Sequence, residues 1–317
     1  MSSFRILSID GGGIKGTYPA AFLAALEEHL PVDSVADYFD LIAGTSVGGI
    51  IALGLGLGLN AKTMLDFFVK EGPKIFTRIR RIDRFRRILG DSKYSAEPLR
   101  TALTNAFGKK TIADSKVRLL IPSFDLNRND IHIYKTPHHE RLKMDHKISA
   151  VDVALATAAA PTYFPAHDGE NFISFVDGGL WANNPCALAV VEAITLLNQN
   201  PQSVEVLSLG CSRDAKGFQF RSHELVFWAR NVYSATAIGQ SSSALGMAKH
   251  LTGRDKGRDA VYRVDPVVEA GIFSLDGVNA IDKLRARAYG DARQESPTLA
   301  ERFFRTKAIP YQPFFRG

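Results

Sequence analysis

The chain has 317 residues, room for one large domain or two ordinary ones, and its 45% hydrophobic and 23% charged composition is that of a soluble protein with a real core. Its net charge of +6 is a modest basic excess; it favours anionic partners such as lipid headgroups or nucleotides, and no nucleic-acid polymer is expected. The two cysteines, Cys186 and Cys211, offer neither a disulfide framework nor metal-ligand spacing, which points to a reducing compartment.

Phe4–Asp10 reads as a strand from the outset, with no signal peptide before it, so a cytoplasmic protein is expected. Next comes Asp10-Gly11-Gly12-Gly13-Ile14-Lys15-Gly16. Gly11, Gly13 and Gly16 fit the dinucleotide fingerprint G-x-G-x-x-G, with Asp33 and Asp37 near the ribose-binding distance. The same glycines fit an oxyanion hole, because consecutive N–H groups at a helix start bind a negative oxygen. Lys15 suits an anion site of either type, and the order Lys-Gly-Thr disfavours a Walker A loop. Thr17–His29 is an apolar-striped helix stopped by Pro31.

Tyr38–Ala43 is a second strand. It runs into Gly44-Thr45-Ser46-Val47-Gly48 and a helix over Ser46–Leu57. A G-x-S-x-G turn between strand and helix lifts the serine hydroxyl clear of its backbone, where Gly44 and Gly48 keep side chains away. Alone, Ser46 reads equally well as a helix N-cap. Leu41 to Ala61 carries no charge and is long enough to span a bilayer. Its six glycines and Ser46 are better explained by a buried strand-turn-helix.

Lys74 to Lys93 holds eight basic and two acidic residues, with Ile75, Ile79, Ile82, Phe85 and Leu89 at three- or four-residue steps. That describes a basic amphipathic helix: a solvated face over a packed stripe, or a lid or membrane contact through Arg80, Arg84 and Arg87. Val117–Phe124 is a strand with a hairpin partner at Ile131–Tyr134. Ala150–Ala159 is a small-residue helix, Ile173–Val176 a strand, Pro185–Leu197 a helix and Val204–Leu209 a strand. Beyond Phe218 the pattern turns helical, with His223–Lys249 the longest candidate and Tyr262–Val264 one more strand. The alternation implies an α/β fold with a mostly parallel sheet covered on both faces.

A nucleophilic serine needs a base. Among the histidines His167 is the best placed, yet none ends a strand. Asp177 does: it follows Ile173–Val176 and precedes Gly178-Gly179, where open α/β sheets place their ligands. It also reads as a turn residue before a glycine pair. As a base it needs a partly desolvated site. In one parallel sheet, Asp10/Lys15, Ser46 and Asp177 would share an edge.

In this combination the chain resembles the patatin-like phospholipase family: the Gly-rich loop with Lys15 where many relatives carry Arg, the elbow Gly44–Gly48, and Asp177-Gly178-Gly179. Ala158-Ala159-Ala160-Pro161-Thr162-Tyr163-Phe164-Pro165 and Asn183-Asn184-Pro185 are similar to the family as well. The resemblance implies a patatin-like three-layer sandwich and ester hydrolysis without metal or cofactor. Ser46 would attack, Asp177 would serve as base, and Gly12 and Gly13, supported by Gly11 and Lys15, would hold the oxyanion. It further implies a phospholipid substrate at the inner face of a membrane. The chain also looks like the bacterial antiviral branch switched on by a cyclic dinucleotide. The expected layout is a catalytic core over 1–217 with a helical part, 218–317, packed on the same domain; a homo-oligomer is compatible with it. The rival reading is a nucleotide-binding module built on Gly11–Gly16.

Overall fold

The first strand, β1 (Phe4–Ile9), is buried at every position, and its side chains divide between two cores. Leu7 and Ile9 enter one apolar cluster, Phe4 and Ile6 the other. A strand buried on both faces demands a layer on each side, the usual setting of parallel sheet. That is the arrangement in the computed structural model, which describes residues 3–77, 92–169, 172–214, 225–254, 257–268 and 275–316. Arg80, Arg84 and Arg87 lie outside the described residues.

After β1 come β2 (Leu41–Gly44), β3 (Arg118–Asp125), β4 (Asp130–Lys135), β5 (His167–Asp168), β6 (Ser174–Asp177), β7 (Val204–Leu209), β8 (Arg213–Asp214), β9 (Val261–Val264) and β10 (Val267–Val268). The main sheet has the order β5-β6-β3-β2-β1-β7-β9, with β4 also on β3. From β3 through β9 its neighbours are parallel; β4 and β6 run antiparallel to β3, and β5 antiparallel to β6. The helices are α1 (Thr17–His29), α2 (Val47–Gly56), α3 (Ala61–Ile75), α4 (Glu97–Phe107), α5 (Ala150–Ala158), α6 (Gly179–Ala182), α7 (Cys186–Val191), α8 (Leu225–Leu251) and α9 (Ile281–Phe303).

The uncharged run after Leu41 becomes β2 and α2, and every residue of α2 is buried. Among the described residues no helix is long and apolar enough to cross a membrane. The second strand starts later than its apolar pattern predicts. Ser34 caps a 3-10 turn over Val35–Tyr38, and the Asp40 carboxylate accepts the Arg5 N–H at 2.8 Å. The helix predicted over Pro185–Leu197 ends as α at Val191 and continues as a π turn, Glu192–Leu196.

One expectation about the site's assembly needs correcting. Asp177 does not arrive on a parallel strand. Ala43 of β2 pairs with Leu120 of β3, and β3 runs on to Asp125. Strand β6 returns along this overhang in the opposite direction, setting Asp177 opposite Ser123. Its C-terminal end thus reaches the edge where β1 and β2 end, because it pairs with the overhang and not with the body of β3.

Candidate active site

The elbow is forced by sterics. A Cβ on Gly44 would lie 2.1 Å from the Gly48 carbonyl oxygen, and one on Gly48 would lie 2.3 Å from that of Ile9. Between them Ser46 adopts φ 55°, ψ −123°, and its side chain makes no cap hydrogen bond to α2. A non-glycine residue held there costs about 1–3 kcal/mol, which the surroundings must offset. Thr157 does part of that. Its hydroxyl accepts the Ser46 N–H at 3.0 Å and donates to the Pro122 carbonyl at 2.6 Å. The cap reading of Ser46 therefore has no hydrogen bond behind it.

Asp177 is wholly buried. Its Oδ1 accepts the Gly179 N–H at 2.6 Å. The Ser46 hydroxyl is near enough to draw the carboxyl's pKa down without completing a hydrogen bond to Oδ2, which accepts none from the described residues. Burial dominates, and the pKa is pushed up from 3.8 to about 7. A carboxylate poised near neutral pH with one free oxygen is suited to taking a proton. Hydrogen bonds of this kind are often long before substrate binds.

The Gly-rich loop divides its donors. Gly11 N–H is spent on the Asn183 carbonyl at 3.0 Å, so Gly11 shapes the loop without offering a donor. A Cβ on it would come within 3.3 Å of Ser46 Cβ. Among the described residues, neither Gly12 N–H nor Gly13 N–H donates to a protein acceptor. Gly13 has φ +57°, a conformation glycine adopts readily. Lys15 Nζ donates to the Ser212 carbonyl at 3.1 Å, beside the loop.

Below the loop Asp10 is held in a fork by Arg263 of β9, at 2.8 and 2.7 Å. Ser241 of α8 donates to the same carboxylate at 3.0 Å. Burial works to lower the Arg263 pKa, yet the Asp10 charge and its bidentate bonds prevail and the net shift is upward. Arg263 also donates to Ser208, which pairs with Ser8 across β1 and β7. Small residues at both positions leave room for the guanidinium on the sheet face.

The segment after Asp177 ties the three motifs together. Thr45 donates to the Ala182 carbonyl at 2.6 Å, the Asn183 carbonyl accepts Gly11, and Asn184 Oδ1 accepts Cys186 N–H at 3.0 Å. On the other side the Asp177 N–H donates to Ala159. This gives the Ala158–Pro165 and Asn183–Pro185 stretches their physical purpose.

Ser46, Asp177, Gly11, Gly12, Gly13 and Lys15 all line one cavity of about 1100 Å³. Phe67, Phe68, Ile75, Phe76, Leu99 and Phe164 form an apolar wall. The polar part of the lining includes Asn183, Ser212, Arg213, Ser241, Arg263 and Asp265. His167 is elsewhere, on β5, with its Nε2 3.2 Å from Asp152. Asp33 and Asp37 precede β2 and lie near Lys307, away from the edge a ribose-binding acid would occupy. Three contributors to the site escaped the sequence reading: Thr157, which braces the Ser46 N–H from beneath, and Arg263 and Tyr233, which line the cavity. The Tyr233 phenol lies where a side chain on Gly179 would be, and burial first, then the Asp177 charge, raises its pKa well above normal.

A covered, mostly parallel sheet with this edge, opening on a predominantly apolar cavity with polar groups around the serine, describes a lipid-hydrolysing α/β enzyme. The chain belongs to the patatin-like phospholipase family, whose match spans residues 7–190. It is 35% identical to a cGAMP-activated phospholipase of Pseudomonas aeruginosa, over 95% of this chain and 89% of that one. It is 40% identical to a cGAMP-activated phospholipase of Vibrio cholerae, over 97% and 96% respectively. The patatin-like protein 3 of Arabidopsis thaliana is 33% identical over 66% of this chain and 56% of its own.

Proposed function

We propose that this phospholipase is a serine acyl hydrolase that works with a Ser46–Asp177 dyad and releases fatty acids from membrane phospholipids. The observation that carries the reading is Asp177: a buried carboxylate with a free oxygen and a pKa of about 7, in one cavity with the strained Ser46. Ser46 Oγ attacks the ester carbonyl carbon, and its proton passes to Asp177. The oxyanion lies against the Gly12 and Gly13 N–H groups, each such donor being worth about 3–4 kcal/mol in the barrier. As the tetrahedral adduct collapses, the departing alkoxide takes the proton from Asp177. Water then adds to the acyl-serine, giving its proton to Asp177, and the second collapse returns that proton to Ser46. The aromatic and aliphatic lining accepts the acyl chain while the polar lining residues meet the glycerol and headgroup.

The two bacterial relatives, matched over nearly their whole length, support a cyclic dinucleotide as activator; a role in antiphage defence rests on the sequence resemblance to the antiviral branch. The test is fatty-acid release from vesicles of defined phospholipids, with and without a panel of cyclic dinucleotides. Ser46→Ala and Asp177→Asn are each expected to abolish release while the fold persists. Near-normal turnover by folded Asp177→Asn sinks the dyad, and equal activity with and without every nucleotide rejects the activation.

A further inference from the structure

The Gly-rich loop is gripped from a second side, by a turn more than 260 residues away in sequence. The Leu275 carbonyl accepts the Ile14 N–H at 2.8 Å. It comes so near that a Cβ on Gly13 would lie 2.2 Å from its oxygen. Ile14 is the next donor after Gly12 and Gly13, so its acceptor sets the tilt of the peptide planes ahead of it. The neighbouring Asp276 is itself fastened. Its Oδ2 accepts the Tyr94 hydroxyl at 2.6 Å and pairs with the Lys93 ammonium. Tyr94 is 1% exposed, and its ring packs on Phe76 at 5.4 Å and Phe164 at 5.8 Å. The N–H groups of Lys93 and Tyr94 donate to the Thr162 and Tyr163 carbonyls. Asp276 is thus anchored to the packed aromatic wall of the cavity.

We propose that Asp276, held by Tyr94 and Lys93, is a positioning residue for the oxyanion loop. It fixes the Leu275 carbonyl, which fixes Ile14 N–H, and this aims the Gly12 and Gly13 N–H groups at the ester oxygen. The inference rests on reading that loop as the oxyanion hole. Donors aimed at charge that develops only in the transition state act on kcat and leave KM alone.

The experiment uses the full chain in the presence of cGAMP, the activator named for its relatives, with p-nitrophenyl butyrate as substrate and the rate of fluorophosphonate labelling as a second readout. The phosphonyl oxygen enters the same hole. For Asp276→Asn, kcat is expected to fall about tenfold, less than the roughly hundredfold loss from deleting a donor outright. KM stays within about twofold, since ground-state binding is untouched. Labelling slows by a similar factor, and the thermal midpoint holds. Tyr94→Phe keeps the ring packing, loses only the hydroxyl, and shows a smaller fall in the same direction. Wild-type kcat and labelling rate in the folded variants overturn the proposal, as does a loss carried by KM. If Asp276→Asn does not fold, the labelling rate of Tyr94→Phe decides alone. An unlabelled wild type, or an active Ser46→Ala, instead brings down the dyad reading beneath it.

Discussion

Asp177 shows how one residue's environment sets both its chemistry and its cost. It is buried, its carboxylate's one completed hydrogen bond among the described residues is made through Oδ1, and its pKa is pushed up to about 7 in the fold against 3.8 as an ordinary carboxyl. Only the ionised form takes a proton from Ser46, so kcat/KM is expected to fall about tenfold per pH unit below about pH 7. A pH–rate profile on a soluble ester checks this. The same shift burdens the fold. Below pH 3.8 the group is protonated in folded and unfolded chains alike, and the burden is absent. It grows as pH rises and is complete above about 7, where it amounts to about 4 kcal/mol at roughly 1.4 kcal/mol per pH unit. Asp177→Asn should therefore raise the urea midpoint at pH 8 and leave it nearly unchanged at pH 4. An equal gain at both values would show that the carboxyl is not held up.

At the scale of elements, β9 matters less for its length than for Arg263, which links the far strand of the sheet to the start of the Gly-rich loop. Breaking a buried ion pair leaves the other charge uncompensated, at a cost of about 3–5 kcal/mol. Arg263→Met is expected to lose stability on that scale in urea melts, and adding Asp10→Asn should recover part of it. Full additivity of the two changes would mean the pair is not coupled. Little of this was legible in the sequence. Gly44 and Gly48 announce themselves because no other residue fits where backbone crosses backbone, and the strands bearing Ser46 and Asp177 stand out as apolar runs. Arg263 finds Asp10 across 253 residues, and no local pattern records such a partner. Thr157 looked like one more small residue in a small-residue helix. Helices α3 and α9 carry Pro73 and Pro297 in their interiors, which blurs the helical signal. The reversal of β6 left no trace, because an apolar strand reads the same in either direction.

For the molecule as a whole, the open matter is where its catalytic unit ends. The family match stops at residue 190, and the sequence suggested a core ending near 217 with a helical addition. We read the last hundred residues as part of the fold's foundation. Strand β9 covers β7 along four residue pairs. Helix α9 buries Leu284, Ala288, Ala292, Leu299 and Phe303 in the same apolar cluster as α1 and α2, and Asp291 accepts the Tyr18 hydroxyl at 2.8 Å. Removing these elements would expose one whole face of α1, uncover an apolar strand edge and leave Asp10 buried without its arginine. Each fully buried Leu or Phe contributes about 1.5–3 kcal/mol, so Leu284, Leu299 and Phe303 alone match much of the 5–15 kcal/mol that keeps a domain folded. A chain cut after residue 217 is therefore expected to show no cooperative thermal transition and no fluorophosphonate labelling, while the full chain melts in one step. A truncated chain that melts cooperatively and still labels at Ser46 would instead make the C-terminal third a separable module.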